Sequence, residues 1–309
     1  MIFYCIKRLL LAIVTIFVAS FVIYTAVELV PGDPVLAMFF PRIPSEEIIK
    51  AVRTQLNLDK PFIIRYAIYI HNVIFHGDFG TSFKQQKAVL QIITENISAT
   101  VELAFFGIGV GLLLGIGAGM VAGLLSDSFF DRLLMPLSLT GISMPSFWLG
   151  ILLVLLFSVK LRWFPTSGTG GFQRLCLPGL TLGLYGAGYM ARFSRASVVE
   201  IKYQEYITTA RAKGLPEYVV AFRHVLRNAS IPILTAAGIL AGYMLGGAAI
   251  VETVFGRLGL GHVLINAINN KDYPVVQGLL LFNVIIFSLI NLLVDLIYVY
   301  IDPRIKYYE

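Results

Sequence analysis

The chain has 309 residues, 57% of them hydrophobic and 14% charged, with a formal net charge of +6. A soluble domain is about half apolar and about a quarter charged, so this composition excludes an ordinary soluble fold and points to a membrane. A basic excess in such a chain marks cytoplasmic loops and not nucleic-acid binding, and the two cysteines, Cys5 and Cys176, make no disulfide framework and read as packing residues.

Crossing the hydrocarbon takes about 20 mostly apolar residues. Six stretches qualify, at about 9–30, 99–125, 134–158, 176–193, 231–252 and 275–299, which predicts an all-α, six-span polytopic membrane protein. The first follows Lys7 and Arg8 and runs into Val30-Pro31-Gly32-Asp33-Pro34, which reads as a turn. No small-x-small site closes it, so it is expected to be a retained transmembrane helix and not a cleaved leader.

Residues 31–98 form a polar insert, with a helix-like piece from Ser45 to Leu56. Along the second span Gly107, Gly111, Gly115, Gly119 and Gly123 recur every four residues, as do Gly238, Gly242 and Gly246 along the fifth. That spacing puts them on one helix face, where neighbouring backbones can approach closely; tight packing is expected, with a pore-lining face as the alternative. In the third span Ser143-Met144-Pro145-Ser146 predicts a kink, making Pro145 a candidate hinge.

Lys and Arg in short connections set orientation, because long loops translocate largely regardless of charge. With the N-terminus inside, the inner segments hold twelve (Lys7, Arg8, Arg132, seven from Arg192 to Arg227, Arg304 and Lys306). The short outer loops hold five, Lys160, Arg162, Arg174, Arg257 and Lys271, which predicts that both termini are cytoplasmic and the insert external. The chain therefore divides into 1–30, a first transmembrane helix; 31–98, the external insert; 99–299, a transmembrane domain containing a loop at 194–230; and 300–309, a cytoplasmic tail.

That loop is basic yet sits between apolar runs. Ser197 and Glu200 have capping-box spacing, predicting a helix start there, and Val199, Tyr203, Ile207 and Ala210 give it an apolar side. Arg211 and Lys213 suit its negative end, and Gly214 stops it. After Leu215, Pro216 and Glu217 fit the first turn of a second short helix, in which Tyr218, Val219, Phe222, Val225 and Leu226 make one apolar stripe opposite Arg223, His224 and Arg227. Such a helix either lies on the membrane or docks in a partner's groove; the Gly214-Leu215-Pro216 corner favours a protruding, docking elbow.

Thr208-Thr209-Ala210-Arg211-Ala212-Lys213-Gly214 resembles the cytoplasmic loop motif of binding-protein-dependent ABC transporter permeases, in the dipeptide, oligopeptide and nickel branch, without the leading Glu of other members. Further segments resemble that family in order along nearly the whole chain: Leu29-Val30-Pro31-Gly32-Asp33-Pro34, Gly77-Asp78-Phe79-Gly80-Thr81-Ser82, Ile142-Ser143-Met144-Pro145-Ser146-Phe147-Trp148, Val251-Glu252-Thr253-Val254-Phe255, Asp272-Tyr273-Pro274-Val275-Val276-Gln277 and Asp302-Pro303-Arg304. The resemblance implies an inner- or plasma-membrane permease subunit paired with a homologous second permease, two cytoplasmic ATP-binding subunits and an extracytoplasmic substrate-binding protein. Short peptides are the expected cargo, with nickel or a metal chelate as alternative. The segment from Pro216 to about Arg227 would be the coupling helix, with Ala210, Arg211, Gly214, Leu215, Pro216, Glu217, Tyr218, Phe222 and Arg223 as coupling residues, and the insert would help receive the loaded binding protein.

The sequence contains no Gly-Lys dipeptide, so a P-loop of the usual form is absent and ATP hydrolysis is assigned to a partner; no catalytic residue or cofactor is expected in this chain. Glu28, Glu102, Glu252 and Asp295 fall near span ends, whereas a proton- or sodium-coupled carrier needs groups near the midplane. An ATPase-independent channel or secondary transporter is the rival from another class. His71 and His76 are five apart, with no Cys or acid cluster nearby, so no metal site is predicted.

Overall fold

The computed structural model describes residues 2–39 and 44–301, and over them the chain is helical apart from loops and one isolated antiparallel bridge between Thr81 and Ala88. The tail 302–309, with Asp302-Pro303-Arg304 and Lys306, lies outside the described residues. Helix α1 (Ile2–Glu28) is followed by three helices of the insert, α2 (Pro34–Phe39), α3 (Glu46–Gln55) and α4 (Phe62–His76). Then come α5 (Val89–Leu124), α6 (Phe129–Ser143), α7 (Ser146–Leu153, continued in wider π turns by Val154–Lys160) and α8 (Phe172–Lys202). Two short pieces, α9 (Glu205–Ala212) and α10 (Glu217–Val219, continued in π turns by Val220–Leu226), lead into α11 (Arg227–Val254), and α12 (Leu260–Asn269) and α13 (Tyr273–Ile301) complete the chain.

Among the described residues four helical stretches are long and apolar enough to cross a membrane: α1, α5, the continuous α10–α11 rod and α13. The bent pair α6–α7 makes a fifth if counted as one span. Pro145 does more than kink that segment. It holds the N-cap of α7 with Met144 extended before it, as the residue preceding a proline prefers, and the two helices meet at 104°. The continuous span expected at 134–158 is therefore a corner.

Helix α5 starts at Val89, ten residues ahead of the expected second span, and its 36 residues reach about 54 Å, longer than the roughly 45 Å of bilayer including headgroups. Its five period-four glycines all pack against α8. A Cβ on Gly111 would meet the backbone of Gly183 and Gly186 at 3.4 Å, and one on Gly123 would meet Val198 Cβ at 2.7 Å; one on Gly119 would strike the Ala191 carbonyl. Glycine here lets two backbones touch. Contacts advance together along both helices, from Gly107 against Leu182 to Gly123 against Val198, so α5 and α8 run parallel. α8 returns the favour: Gly179 receives Phe106, Gly186 receives Met244 and Leu240 of α11, and Gly188 abuts Ser138 and Ile142 of α6. With α5, α6 and α11 around it, α8 needs little outward apolar surface, and it is less apolar than α1, α5 and α13.

At one end of the molecule Arg8 Nη1 pairs with Asp295 Oδ2 at 3.0 Å, joining α1 to α13 as antiparallel neighbours with their chain ends on the same side. At the other end α4 lies across α1. Tyr66 is buried against Phe17, Phe21 and Tyr24 and bonds to the Ser20 hydroxyl at 2.8 Å, while Arg65 grips Glu28 with two hydrogen bonds of 2.5 and 3.0 Å.

Candidate coupling site

The elbow is built from local rules. α8 does not stop at Ser197, which is buried in mid-helix, so the capping-box expectation fails; the chain breaks at Tyr203 and restarts with Gln204 as the extended N-cap of α9. Ile207 and Ala210 on the inner side of α9 are buried in the same apolar cluster as Val198, Val220 and Val225. Gly214 then takes φ +77°, its N–H donating to the Arg211 carbonyl at 2.9 Å. An added Cβ would meet nothing within 4 Å, so glycine is needed for backbone conformation and not for space. Pro216 caps the next turn, its carbonyl accepting from Val219 and Val220 at 2.9 and 3.2 Å. Across the corner Arg211 Nε meets Glu217 Oε1 at 2.8 Å; both groups are partly exposed, and the bond adds at most about 1 kcal/mol.

The predicted apolar stripe divides. Val225 points inward with Leu226 packed behind it, joined there by Val220, which was not in the predicted stripe, whereas Tyr218 is 69% and Phe222 68% exposed, beside exposed Leu215 and Tyr206 and flanked by exposed Arg223. Ala210 belongs to the inner side. The predicted second helix also has no end near Arg227: no helix breaker separates the π turns from α11, so one rod runs on from the corner into the bundle.

Sequence reasoning missed the bonds that fix the base of this loop. Asp131 accepts from Arg195 Nε and Nη2 at 2.6 and 2.7 Å, and Lys202 Nζ donates to the Leu124 carbonyl at 2.7 Å and Ser126 Oγ at 3.0 Å, fastening the α5–α6 turn to the end of α8.

Two polar knots hold the opposite end. Asp272, buried, accepts from Ser82 Oγ at 2.5 Å and Phe83 N–H at 3.0 Å, joining the Gly77–Ser82 and Asp272–Gln277 motifs. Glu252, fully buried, accepts from Thr100 Oγ1 at 2.6 Å and from the Gly261 and His262 N–H groups at 2.9 and 3.1 Å at the start of α12. Arg257, counted above among the basic residues of the short outer loops, is 0% exposed: it reaches the Ala99 carbonyl at 3.1 Å and Glu102 at 2.7 Å. Replacing Glu252 by Leu removes the acceptor that both backbone donors share; hydrogen exchange at Gly261 and His262 should quicken by roughly tenfold or more, and unchanged exchange would contradict this anchor role.

A family model described as the binding-protein-dependent transport system inner membrane component matches residues 111–307, and a model of the N-terminal part of such membrane components matches residues 1–104. The chain belongs to this family of transport-system inner membrane components. The permease is 41% identical over 304 residues, 98% of its length and 99% of the relative's, to the glutathione transport system permease protein GsiC of Escherichia coli (strain K12). It is 39% identical over 309 residues, 97% of its length and 98% of the relative's, to a protein of Brucella abortus (strain 2308) named as a peptide transport system permease. Its fold matches a chain of the inward-facing MetNI methionine ABC transporter with TM-score 0.61 and 19% identity, over 69% of the permease and 97% of that chain. A multi-pass inner membrane protein follows, and the elbow lies inside the larger matched segment.

Proposed function

We propose that this permease is one half of the translocation pathway of an ATP-driven importer of short peptides, driven through the elbow at Gly214. The observation that carries the reading is the pairing of a buried inner side (Ile207, Ala210, Val220, Val225) with bare aromatics, Tyr218 and Phe222, on a rod continuous with α11. The peptide and glutathione transport names of relatives matched along nearly their full length supply the solute class. α8, 31 residues or about 46 Å long and packed among three helices, is taken as the sixth span. Parallel α5 and α8 need one return crossing between them, assigned to the α6–α7 pair; the Arg8–Asp295 pair supports termini on a common side, and the Lys and Arg bias of the short connections makes that side cytoplasmic. The insert, 31–98, then faces outward toward a substrate-binding protein, while a second, homologous permease and two ATP-binding subunits complete the assembly.

The double substitution Tyr218→Ala, Phe222→Ala tests this. Both side chains are exposed, so the permease should reach the membrane in normal amount while ATP-driven peptide uptake falls roughly tenfold or more, as loss of two interface anchors dictates. Wild-type uptake by that variant would overturn the assignment.

A further inference from the structure

Helix α4 belongs to the polar insert, yet the level at which it crosses α1 is not that of a helix in water. The Tyr66 ring packs on Phe17, Phe21 and Tyr24 with centroids 6.1, 5.2 and 5.5 Å apart. Phe62 meets Phe21 and Tyr24 at 5.9 and 5.6 Å, and Tyr69 meets Tyr24 at 5.5 Å. Together with the Ser20–Tyr66 hydrogen bond, these contacts centre on Phe21, seven residues or about 10 Å along α1 from its end at Glu28. The apolar stretch of α1, Ile6–Glu28, has 23 residues, where about 20 fill the hydrocarbon, so Glu28 stands near the membrane boundary and α4 crosses below it.

The faces of α4 fit that depth. Tyr66, Tyr69 and Val73 turn toward α1 and the apolar cluster beside it, while Ile68 and Asn72 line the space inside the insert. The remaining side is bare: Ile63, Ile64, Ala67, Ile74 and Phe75 are exposed, with Ile63 at 63% and Phe75 at 71%, and His71 near its C-terminal end is its one polar member. A contiguous apolar face of this kind marks contact with another apolar phase. Charged and polar residues stand at both ends of the helix, exposed Asp59 and Lys60 before it and exposed His76 and Asp78 after it. At 15 residues, about 22 Å, it is too short to cross the hydrocarbon, so it lies along the membrane and not through it. The one fixed charge within it, Arg65, is held by Glu28, and the cluster of Tyr24, Tyr66 and Tyr69 suits the interfacial belt in which tyrosine concentrates. The helix it rests on is itself bare at Val14, Val18 and Val22, as a lipid-facing span is.

We propose that α4 is an interfacial helix seated in the outer leaflet, the one at the Glu28 end of α1, with phospholipid acyl chains covering the face from Ile63 to Phe75. Interfacial helices sink their apolar side about 5–10 Å into the boundary between headgroups and chains, which is the level that the contacts with α1 set. Lipid then anchors the middle of the insert, and α2, α3 and the loop after Gly77 remain for an external protein. The inference needs only that α1 crosses the bilayer and holds whatever the cargo.

The test uses the assembled transporter in phospholipid nanodiscs, with native cysteines replaced by serine and a nitroxide attached in turn at Ile63→Cys, Ala67→Cys, Ile74→Cys and, on exposed α3, Glu47→Cys. Collision with molecular oxygen, which concentrates among acyl chains, is compared with collision with a water-soluble nickel chelate. Nitroxide-labelled phospholipid and free label in buffer set the two limits, and the basal ATPase rate reports an intact assembly. The oxygen-to-chelate ratio at each of the three α4 positions should exceed that at Glu47→Cys roughly tenfold or more, because an apolar reagent enters hydrocarbon and a polar one is kept out. Chelate access equal to that at Glu47→Cys at any of the three would place the face in water, and shielding from both reagents would place it against protein; either result overturns the proposal. Peptide uptake by the same variants tests the importer reading separately, since the collision ratio does not depend on transport.

Discussion

Gly214→Pro should reduce ATP-driven uptake to below roughly a tenth of wild type while leaving the permease inserted and folded. Proline holds φ near −65° and has no N–H, whereas Gly214 sits at +77° and donates to the Arg211 carbonyl, so the corner cannot form and the local cost is about 3 kcal/mol or more. The open surroundings sharpen the test, because nothing lies within 4 Å of an added Cβ and the defect is conformational. Gly214→Ala should accordingly be milder, costing about 1 kcal/mol. Uptake in proteoliposomes, normalised to inserted protein, reads both; full activity in the proline variant would contradict an elbow of defined shape.

The largest expected effect on stability lies elsewhere, at Gly119. A leucine there would drive its Cβ into the Ala191 carbonyl and to within 2.7 Å of Ser194 Cβ, and backbone cannot swing away as a flexible side chain can. Overpacking of this kind costs roughly 3 kcal/mol or more, enough to separate α5 from α8 and deplete the folded permease. Gly117→Leu is the control: two residues away on the same helix, it meets nothing within 4 Å and should be tolerated. Thermal unfolding in detergent compares them, and equal midpoints would show that the helices do not pack through this face.

These two positions also mark what the sequence makes legible. Period-four glycines on an apolar helix and a glycine followed by proline are local patterns with direct geometric meaning, so both the α5 stripe and the corner could be read without coordinates. Local patterns also mislead. Ser197 and Glu200 have cap spacing, but packing against α5 carries α8 straight through them, and the real break at Tyr203 has no glycine or proline to announce it. Pro145 signalled a bend but not its size, which depends on how α6 and α7 pack on α8 and α11. The knots at Asp272 and Arg257 join residues 190 and 155 positions apart, a relation no short-range periodicity contains. Arg257 looks like an ordinary loop cation until burial shows what holds it. The apolar stripe from Tyr218 to Leu226 was visible as a stripe, yet which members face inward was decided by α9 and α11.

The most direct measurement is cross-linking from Phe222→Cys, in a permease whose native cysteines are replaced by serine, to a cysteine placed in the cognate ATP-binding subunit. A covalent adduct is expected in inverted membrane vesicles, with a yield that changes on adding ATP. Modification of that cysteine by an impermeant thiol reagent from the outer side of intact cells, with no adduct to the ATP-binding subunit, would contradict it.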